Sequence, residues 1–271
     1  MCMNKNKVIY GDILDVFASI SNEEVDLICT DLPFGKTKDP LDKIIPPDKL
    51  WPDIWRITKK NAAILFFGEN KFSAMMMLST PFHRYNIIYE KTTVTGYLNS
   101  GVMPLRCHED MMVFYRKKPT YNPQKTTGHP RKISTDKHKK NSKKTVIYGN
   151  HKKTSYNSTE RYPRSVWKFK TDKQKSGLHP NQKPVKLIEQ VILTYSNPGD
   201  TVLDFCSGSG TTGEACINTG RNFILVEKDK DRFNDGLDRI KSIYKQKKYN
   251  TKTLEIICNN GLQNQTLRAL Y

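Results

Sequence analysis

The sequence predicts an α/β fold, a mainly parallel sheet with helices on both faces, interrupted by a basic insert. Three observations carry this expectation. Along both flanks of the 271-residue chain, apolar runs of strand length alternate with stretches of helical periodicity, as a doubly wound sheet requires. The run Val25 to Thr30 is almost continuously apolar, as befits a strand buried on both faces. Between Arg116 and Lys175, nineteen Lys and Arg stand against three acids (Asp136, Glu160, Asp172), a net of +16 where the whole chain carries +18.

Each element has its own reason. Lys7 to Tyr10 reads as a short strand and Asp12 to Ile20 as the helix after it. Val25 to Thr30 ends at Asp31-Leu32-Pro33-Phe34. A helix is expected over Pro47 to Ile57, then a strand over Ala62 to Phe67 and a helix over Lys71 to Leu78, where the methionines serve as core packing. Tyr85 to Glu90 and Met111 to Arg116 complete the first flank. In the second flank, Pro184 opens a helix to Ser196, since proline suits a first turn. Strands at Thr201 to Phe205 and Phe223 to Glu227 then alternate with helices at Gly210 to Asn218 and Lys230 to Tyr244. Residues from Tyr249 onward read as a tail or a packed extension. Trp51 and Trp55, four apart, face the core or a subunit interface.

Composition narrows the partners. A protein this basic binds a polyanion, a membrane surface or ribosomal RNA. In the basic middle, Tyr121, Tyr148, Tyr156, Tyr162, Trp167 and Phe169 interleave with the charges. That favours a partly folded phosphate-gripping insert over a disordered linker. Its candidate phosphate contacts are Lys139, Lys140, Lys143, Lys144, Arg161 and Arg164. The six cysteines include no CxxC pair and the histidines lack ligand spacing, so neither metal nor disulfides are expected. No apolar run reaches the ~18 residues of a membrane span. The polar start is no secretory signal, and a cytoplasmic location is expected.

Two constellations carry chemistry. In Asp204-Phe205-Cys206-Ser207-Gly208-Ser209-Gly210-Thr211, an apolar strand turns through glycines into a helix, where a backbone can approach a ligand. Glu227 ends the next strand, 17 residues after Gly210, where a carboxylate can bind ribose hydroxyls. This crevice fits a nicotinamide dinucleotide and S-adenosylmethionine alike. Asp31 to Phe34 lies at the carboxyl end of a buried strand, where open α/β sheets bind ligands. It offers a carboxylate (Asp31), a main-chain carbonyl (Leu32) and a flat ring (Phe34) held by Pro33. Two acceptors on an exocyclic amine can aim its lone pair at a methyl donor, and a ring can stack an extruded base.

Taken in order, these motifs resemble the beta-type amino-methyltransferases of bacteria and phages, over roughly residues 7 to 245. Asp31 to Phe34 matches their D-P-P-Y-like motif, and Phe205 to Gly210 their F-x-G-x-G motif. His179-Pro180-Asn181-Gln182-Lys183-Pro184 matches H-P-T-Q-K-P, and Gly11-Asp12 an N-terminal G-D. Two positions depart: Leu32 replaces a proline whose role is a carbonyl, and Phe34 replaces tyrosine, which keeps stacking but loses a hydroxyl.

The resemblance implies a Rossmann-like fold with a catalytic half (1–117), a basic target-recognition insert (118–176), a cofactor-binding half (177–248) and a C-terminal extension (249–271). It implies S-adenosylmethionine as cofactor, held by Asp12, Lys183, Asp204, Phe205, Gly208, Gly210, Thr211 and Glu227. Double-stranded DNA is the implied substrate; a cognate restriction endonuclease and a homodimer are compatible with it. The aspartate start implies N6 of adenine, with N4 of cytosine as the alternative and RNA as a lesser one. A nicotinamide dehydrogenase leaves the insert and the Asp31 motif unexplained, and a silent DNA-binding relative is the third class. Asn99, within Gly96 to Gly101, reads equally as a DNA-facing residue or a plain loop.

Overall fold

Helices from the first flank cover one face of a ten-stranded sheet, and helices from the second flank cover the other. The computed structural model describes residues 6–135, 144–145, 149–150, 155–171, 182–249, 253–259 and 264–268. The first flank contains β1 (Asn6–Tyr10), α1 (Ile13–Val16), β2 (Val25–Asp31), α2 (Pro47–Ile57), β3 (Thr58–Gly68), α3 (Asn70–Leu78), β4 (His83–Thr95) and β5 (Arg106–Phe114). Short strands follow: β6 (Lys132–Ile133), β7 (Lys144–Thr145), β8 (Gly149–Asn150) and β9 (Asn157–Ser158), then β10 (Val166–Phe169). The second flank has α4 (Val185–Tyr195), β11 (Thr201–Asp204), α5 (Thr211–Thr219), β12 (Asn222–Glu227), α6 (Lys230–Gln246), β13 (Leu254–Asn259) and β14 (Asn264–Arg268).

The sheet runs β10-β4-β5-β3-β2-β11-β12-β1-β13-β14, with β5 and β14 opposed to the other strands. Side chains alternate between faces along a strand, and the core sorts accordingly. Leu27, Ala63, Leu65, Phe223 and Leu225 meet α4, α5 and α6. Ile28, Ile64, Phe66, Ile224 and Val226 meet α1, α2 and α3. Each fully buried Leu, Ile, Val or Phe among them contributes about 1.5–3 kcal/mol, so both helical layers are held by area. The chain leaves β2 toward β3 and leaves β11 toward β12, so it diverges between two neighbouring strands. That divergence opens a crevice at their carboxyl ends.

Two elements differ from the sequence reading, and a third decides between alternatives it left open. The helix expected over Asp12 to Ile20 is a four-residue α-turn and a 3-10 turn. Arg56 donates to the carbonyls of Phe17 (2.7 Å) and Ile20 (2.9 Å), ending the turn there. The extension packs: β13 pairs parallel with β1, and β14 antiparallel with β13. Finally, β10 lies within the expected insert but pairs with β4, burying Trp167 in the main core. Charge counting could not separate that strand from its basic surroundings.

A second compact unit spans residues 123–164. In it β6 pairs with β9 and β7 with β8. Arg161 donates to the carbonyls of Ser158 (3.1 Å), Glu160 (2.7 Å) and Pro130 (2.5 Å), so three of its five donors hold the unit together. Lys125 pairs with Glu160 at 2.8 Å and lies over the Tyr162 ring. Arg164 ends the unit, and the backbone of Lys144 lies in β7. Lys139, Lys140 and Lys143 lie outside the described residues. Among those described, no helix is long and apolar enough to cross a membrane.

One contact fixes the turn after β11. Gly210 adopts φ +79°, and Gly236 of α6 lies so close that a Cβ there would sit 2.9 Å from the Gly208 carbonyl oxygen. The obstacle is backbone, which cannot swing aside. Gly236→Ala should therefore lower stability in urea unfolding by about 1–3 kcal/mol, outweighing the gain in helix propensity. At Gly101 a Cβ would meet nothing within 4 Å, so Gly101→Ala should stay within roughly 0.5 kcal/mol. Equal effects at the two positions would contradict this account of the turn.

Candidate active site

The crevice at the strand ends is a cleft of about 1070 Å³, with Asp31, Phe34, Asp204, Gly208 and Glu227 in its wall. Asp31 closes β2 and Asp204 closes β11, two neighbouring parallel strands. The strand ends are joined through side chains. Thr30 donates its hydroxyl to Asp204 (2.5 Å) and accepts the Phe205 N–H (2.9 Å), while Thr212 donates to the other Asp204 oxygen (2.6 Å). Burial pushes the Asp204 carboxyl up to about 6, against the Thr212 and Thr30 donors that favour its charged form.

The glycine turn forms the cofactor-side wall. Glu227 ends β12 and is buried, with one oxygen accepting from Gly208 N–H (2.8 Å) and the other from Asp229 N–H (2.9 Å). Its orientation is thereby set before any ligand arrives. A Cβ on Gly208, at φ +49°, would meet nothing within 4 Å. Asp12 caps α1 by accepting Leu14 N–H and lines the cleft. Phe205 lines it too, but its side chain is buried edge-on to Phe17 and Phe66. Thr211 opens α5, with its hydroxyl oxygen 3.2 Å from Arg239.

The opposite wall holds a chain of alternating charges. The Lys183 ammonium lies 2.5 Å from Asp31 Oδ2, 3.0 Å from Glu109 Oε2 and 5.0 Å from the centre of the Phe67 ring. Lys91 pairs with the other oxygen of Glu109. Lys183, expected among the cofactor residues, lines the same cleft, and its ammonium sits on the Asp31 carboxylate. The adjacent Gln182 accepts from the Ser209 hydroxyl at 3.1 Å, so the same segment also touches the glycine turn. His179, Pro180 and Asn181 of that motif lie outside the described residues.

Burial pushes the Asp31 carboxyl above the usual carboxylate range; Lys183 opposes this and Glu109 adds to it. Against its own burial, Glu109 is held below that range by Lys183 and Lys91. Lys183 is raised despite burial because it faces two carboxylates. Among the described residues, no donor other than Lys183 reaches Asp31, and Oδ1 is a buried acceptor without a partner. An unsatisfied buried acceptor costs roughly 1–3 kcal/mol.

Phe34 is half-buried, its ring 4.9 Å from that of Phe72. Leu32 is buried in the core, so its side chain is structural. The loop that follows is pinned: Asp42 accepts the N–H groups of Gly35, Lys36 and Thr37 at 2.6–2.8 Å. Arg232 of α6 reaches Asp39 at 2.6 Å. Sequence reading missed Glu109 and Lys91. The available signal was periodicity: Glu109 shares a strand face with Met111 and Val113, and Lys91 with Ile87 and Tyr89, so both charges point toward a buried layer.

This arrangement matches a known class. Residues 25–238 match the DNA methylase model of the N6/N4 methyltransferases, and the chain belongs to that family. It is 29% identical over 258 residues to DNA adenine methyltransferase YhdJ of Escherichia coli, covering 86% of this chain and 82% of that one. To the type II methyltransferase M1.MboII of Moraxella bovis it is 25% identical, covering 84% and 94%. In fold it is similar to the PvuII cytosine-N4-specific DNA methyltransferase (TM-score 0.62, 14% identity, covering 90% and 93%). It also resembles M1.HpyAVI, solved as a SAM complex (TM-score 0.55, 24% identity, covering 86% and 99%).

The Asp204 shift has a stability consequence. The folded protein holds that proton up to about pH 6, whereas an unfolded aspartate releases it near its ordinary value of 3.8. The folded state therefore binds more protons between those values, and stability falls as pH rises through the window. Relative to Asp204→Asn, the wild type should lose on the order of 2 kcal/mol between pH 4 and pH 7 in urea unfolding. A difference independent of pH would show that Asp204 is not held protonated in the fold.

Proposed function

We propose that this DNA amino-methyltransferase moves a methyl group from S-adenosylmethionine to N6 of adenine in duplex DNA. One observation supports the reading above the others. The Asp31 carboxylate, with acceptor capacity that no group among the described residues uses, shares one cleft with the glycine turn and Glu227. The aspartate start of the motif favours adenine. So does the likeness to an enzyme named DNA adenine methyltransferase over 86% of the chain.

The cleft fits the proposed cofactor. Glu227, oriented by two main-chain N–H groups, has lone pairs left for ribose hydroxyls, and the glycine at 208 keeps the adjoining space open. Asp12 lies at the same wall. When bound, the cofactor supplies an electrophilic methyl group on a sulfonium centre. The chain's own residues prepare the nucleophile. Asp31 accepts an N–H of the adenine amine, which favours pyramidal nitrogen and aims its lone pair. The Leu32 carbonyl takes the second N–H. Phe34, backed by the buried Phe72 ring, stacks the base and excludes water from one face of the amine. Positioning and desolvation of this kind supply much of the rate in group transfer.

Transfer of labelled methyl to duplex DNA tests the reading, with the modified base identified after digestion. The expected product is N6-methyladenine, and Asp31→Ala should abolish it. Phe34→Ala should lose about 5- to 150-fold in rate by loss of stacking, while Phe34→Tyr stays active. N4-methylcytosine as the product would overturn the choice of adenine. A fully active Phe34→Ala would remove Phe34 from the site.

A further inference from the structure

The mechanism leaves unused the turn between β4 and β5. From Thr92 to Leu105 the sequence contains no charged residue, in a chain that is 27% charged. The tip is also apolar and open: Tyr97, Leu98 and Val102 are 75%, 81% and 86% exposed, with Met103 about half exposed beside them. A solvated loop does not need such side chains, and an exposed apolar patch marks a contact surface.

The turn is preformed. Asn99 N–H bonds the Gly96 carbonyl at 3.0 Å, Ser100 N–H the Tyr97 carbonyl at 3.1 Å, and Val102 and Met103 N–H the Asn99 carbonyl, each at 3.0 Å. Its root is tied to the catalytic loop through one carboxylate. Arg106 at the start of β5 lies 3.1 Å from Glu69, and Lys36, two residues after Phe34, lies 2.6 Å from the same oxygen. Thr93, Thr95 and Arg106 line the cleft that contains Asp31 and Phe34. A duplex that delivers a base to Asp31 must therefore pass beside this tip.

We propose that the Tyr97–Asn99 tip is a wedge for duplex DNA that fills the gap left by the extruded base; this rests on the methyltransferase reading above. The chemistry of the tip fits bases better than phosphates. It offers a flat ring (Tyr97), an apolar wedge (Leu98) and an exposed carboxamide (Asn99) with no partner among the described residues, and it offers no cation. Apolar side chains inserted between base steps unstack them, and aromatic rings accept any base. An amide can bond the edge of the base left unpaired.

The test compares the wild type with the double variant Tyr97→Ala/Leu98→Ala on three DNAs. These are a matched duplex, the same duplex with an abasic site opposite the target, and the single strand. Labelled methyl transfer is the readout. On the matched duplex the variant should lose about 10- to 100-fold in kcat/KM. On the abasic duplex and the single strand, which need no wedge, it should stay within about threefold. Asn99→Ala should show the same pattern with a smaller loss. A fluorescent base analogue at the target should report reduced extrusion only in the matched duplex.

Equal loss on all three DNAs, or no loss on any, overturns the wedge. So does a variant that dissociates in sedimentation where the wild type is a dimer, since the tip would then contact a second copy. A wild type that methylates none of the three overturns the reading of the site, and the wedge with it. A methylating wild type beside a variant without duplex-specific loss overturns the wedge alone.

Discussion

Everything in this molecule that concerns a ligand depends on the seam between β2 and β11. These strands are far apart in the sequence, yet they lie side by side and parallel, with β11 ending two residues short of Asp31 in register. The Thr30 hydroxyl spans the seam, donating to Asp204 and accepting from Phe205. Backbone pairing alone would fix the strands. The side-chain bridge also fixes the two carboxylates that follow them, Asp31 on one side and Asp204 on the other. The glycine turn and the Asp31 motif thus face one cleft, although a basic segment separates them in sequence.

The seam sets an electrostatic problem that the chain answers with lysines. Asp31, Asp204 and Glu109 are acids at or near one buried surface, and their mutual repulsion would drive protons onto them. Lys183 stands between Asp31 and Glu109, and Lys91 holds the far side of Glu109. Among the described residues Asp204 meets no cation; it receives two hydroxyls and a main-chain N–H, and burial dominates there. Removing one member of such a buried pair costs roughly 3–5 kcal/mol, which makes the network a structural element as well as a chemical one.

Much of this was legible in the sequence because it is written locally. Val25 to Asp31 announces a buried strand and its end, and glycines 208 and 210 announce the turn before a helix. What was not legible depends on pairing across distance. Lys183 belongs to a motif that the resemblance assigns to the cofactor, and only the fold shows its ammonium on Asp31. Glu109 and Lys91 meet because β4 and β5 form an antiparallel pair. Their places on buried strand faces hinted at it, but a face does not name its partner. Trp167 shows the opposite failure: basic neighbours hid a core residue on a strand of the main sheet.

In the proposed mechanism Asp31 works as an ionised acceptor, and Lys183 holds it so. The most direct measurement is the pH profile of methyl transfer in Lys183→Met, with Lys183→Arg as the charge-preserving control and cofactor affinity measured alongside. Without Lys183, burial and Glu109 act on Asp31 unopposed except by the more distant Lys91, so its proton is retained to higher pH. In Lys183→Met the acid limb of the rate should move to higher pH and much of the rate should return on the alkaline side, while Lys183→Arg stays near wild type and cofactor affinity is unchanged. A rate loss independent of pH, or one that tracks weakened cofactor binding, would contradict this role of Lys183.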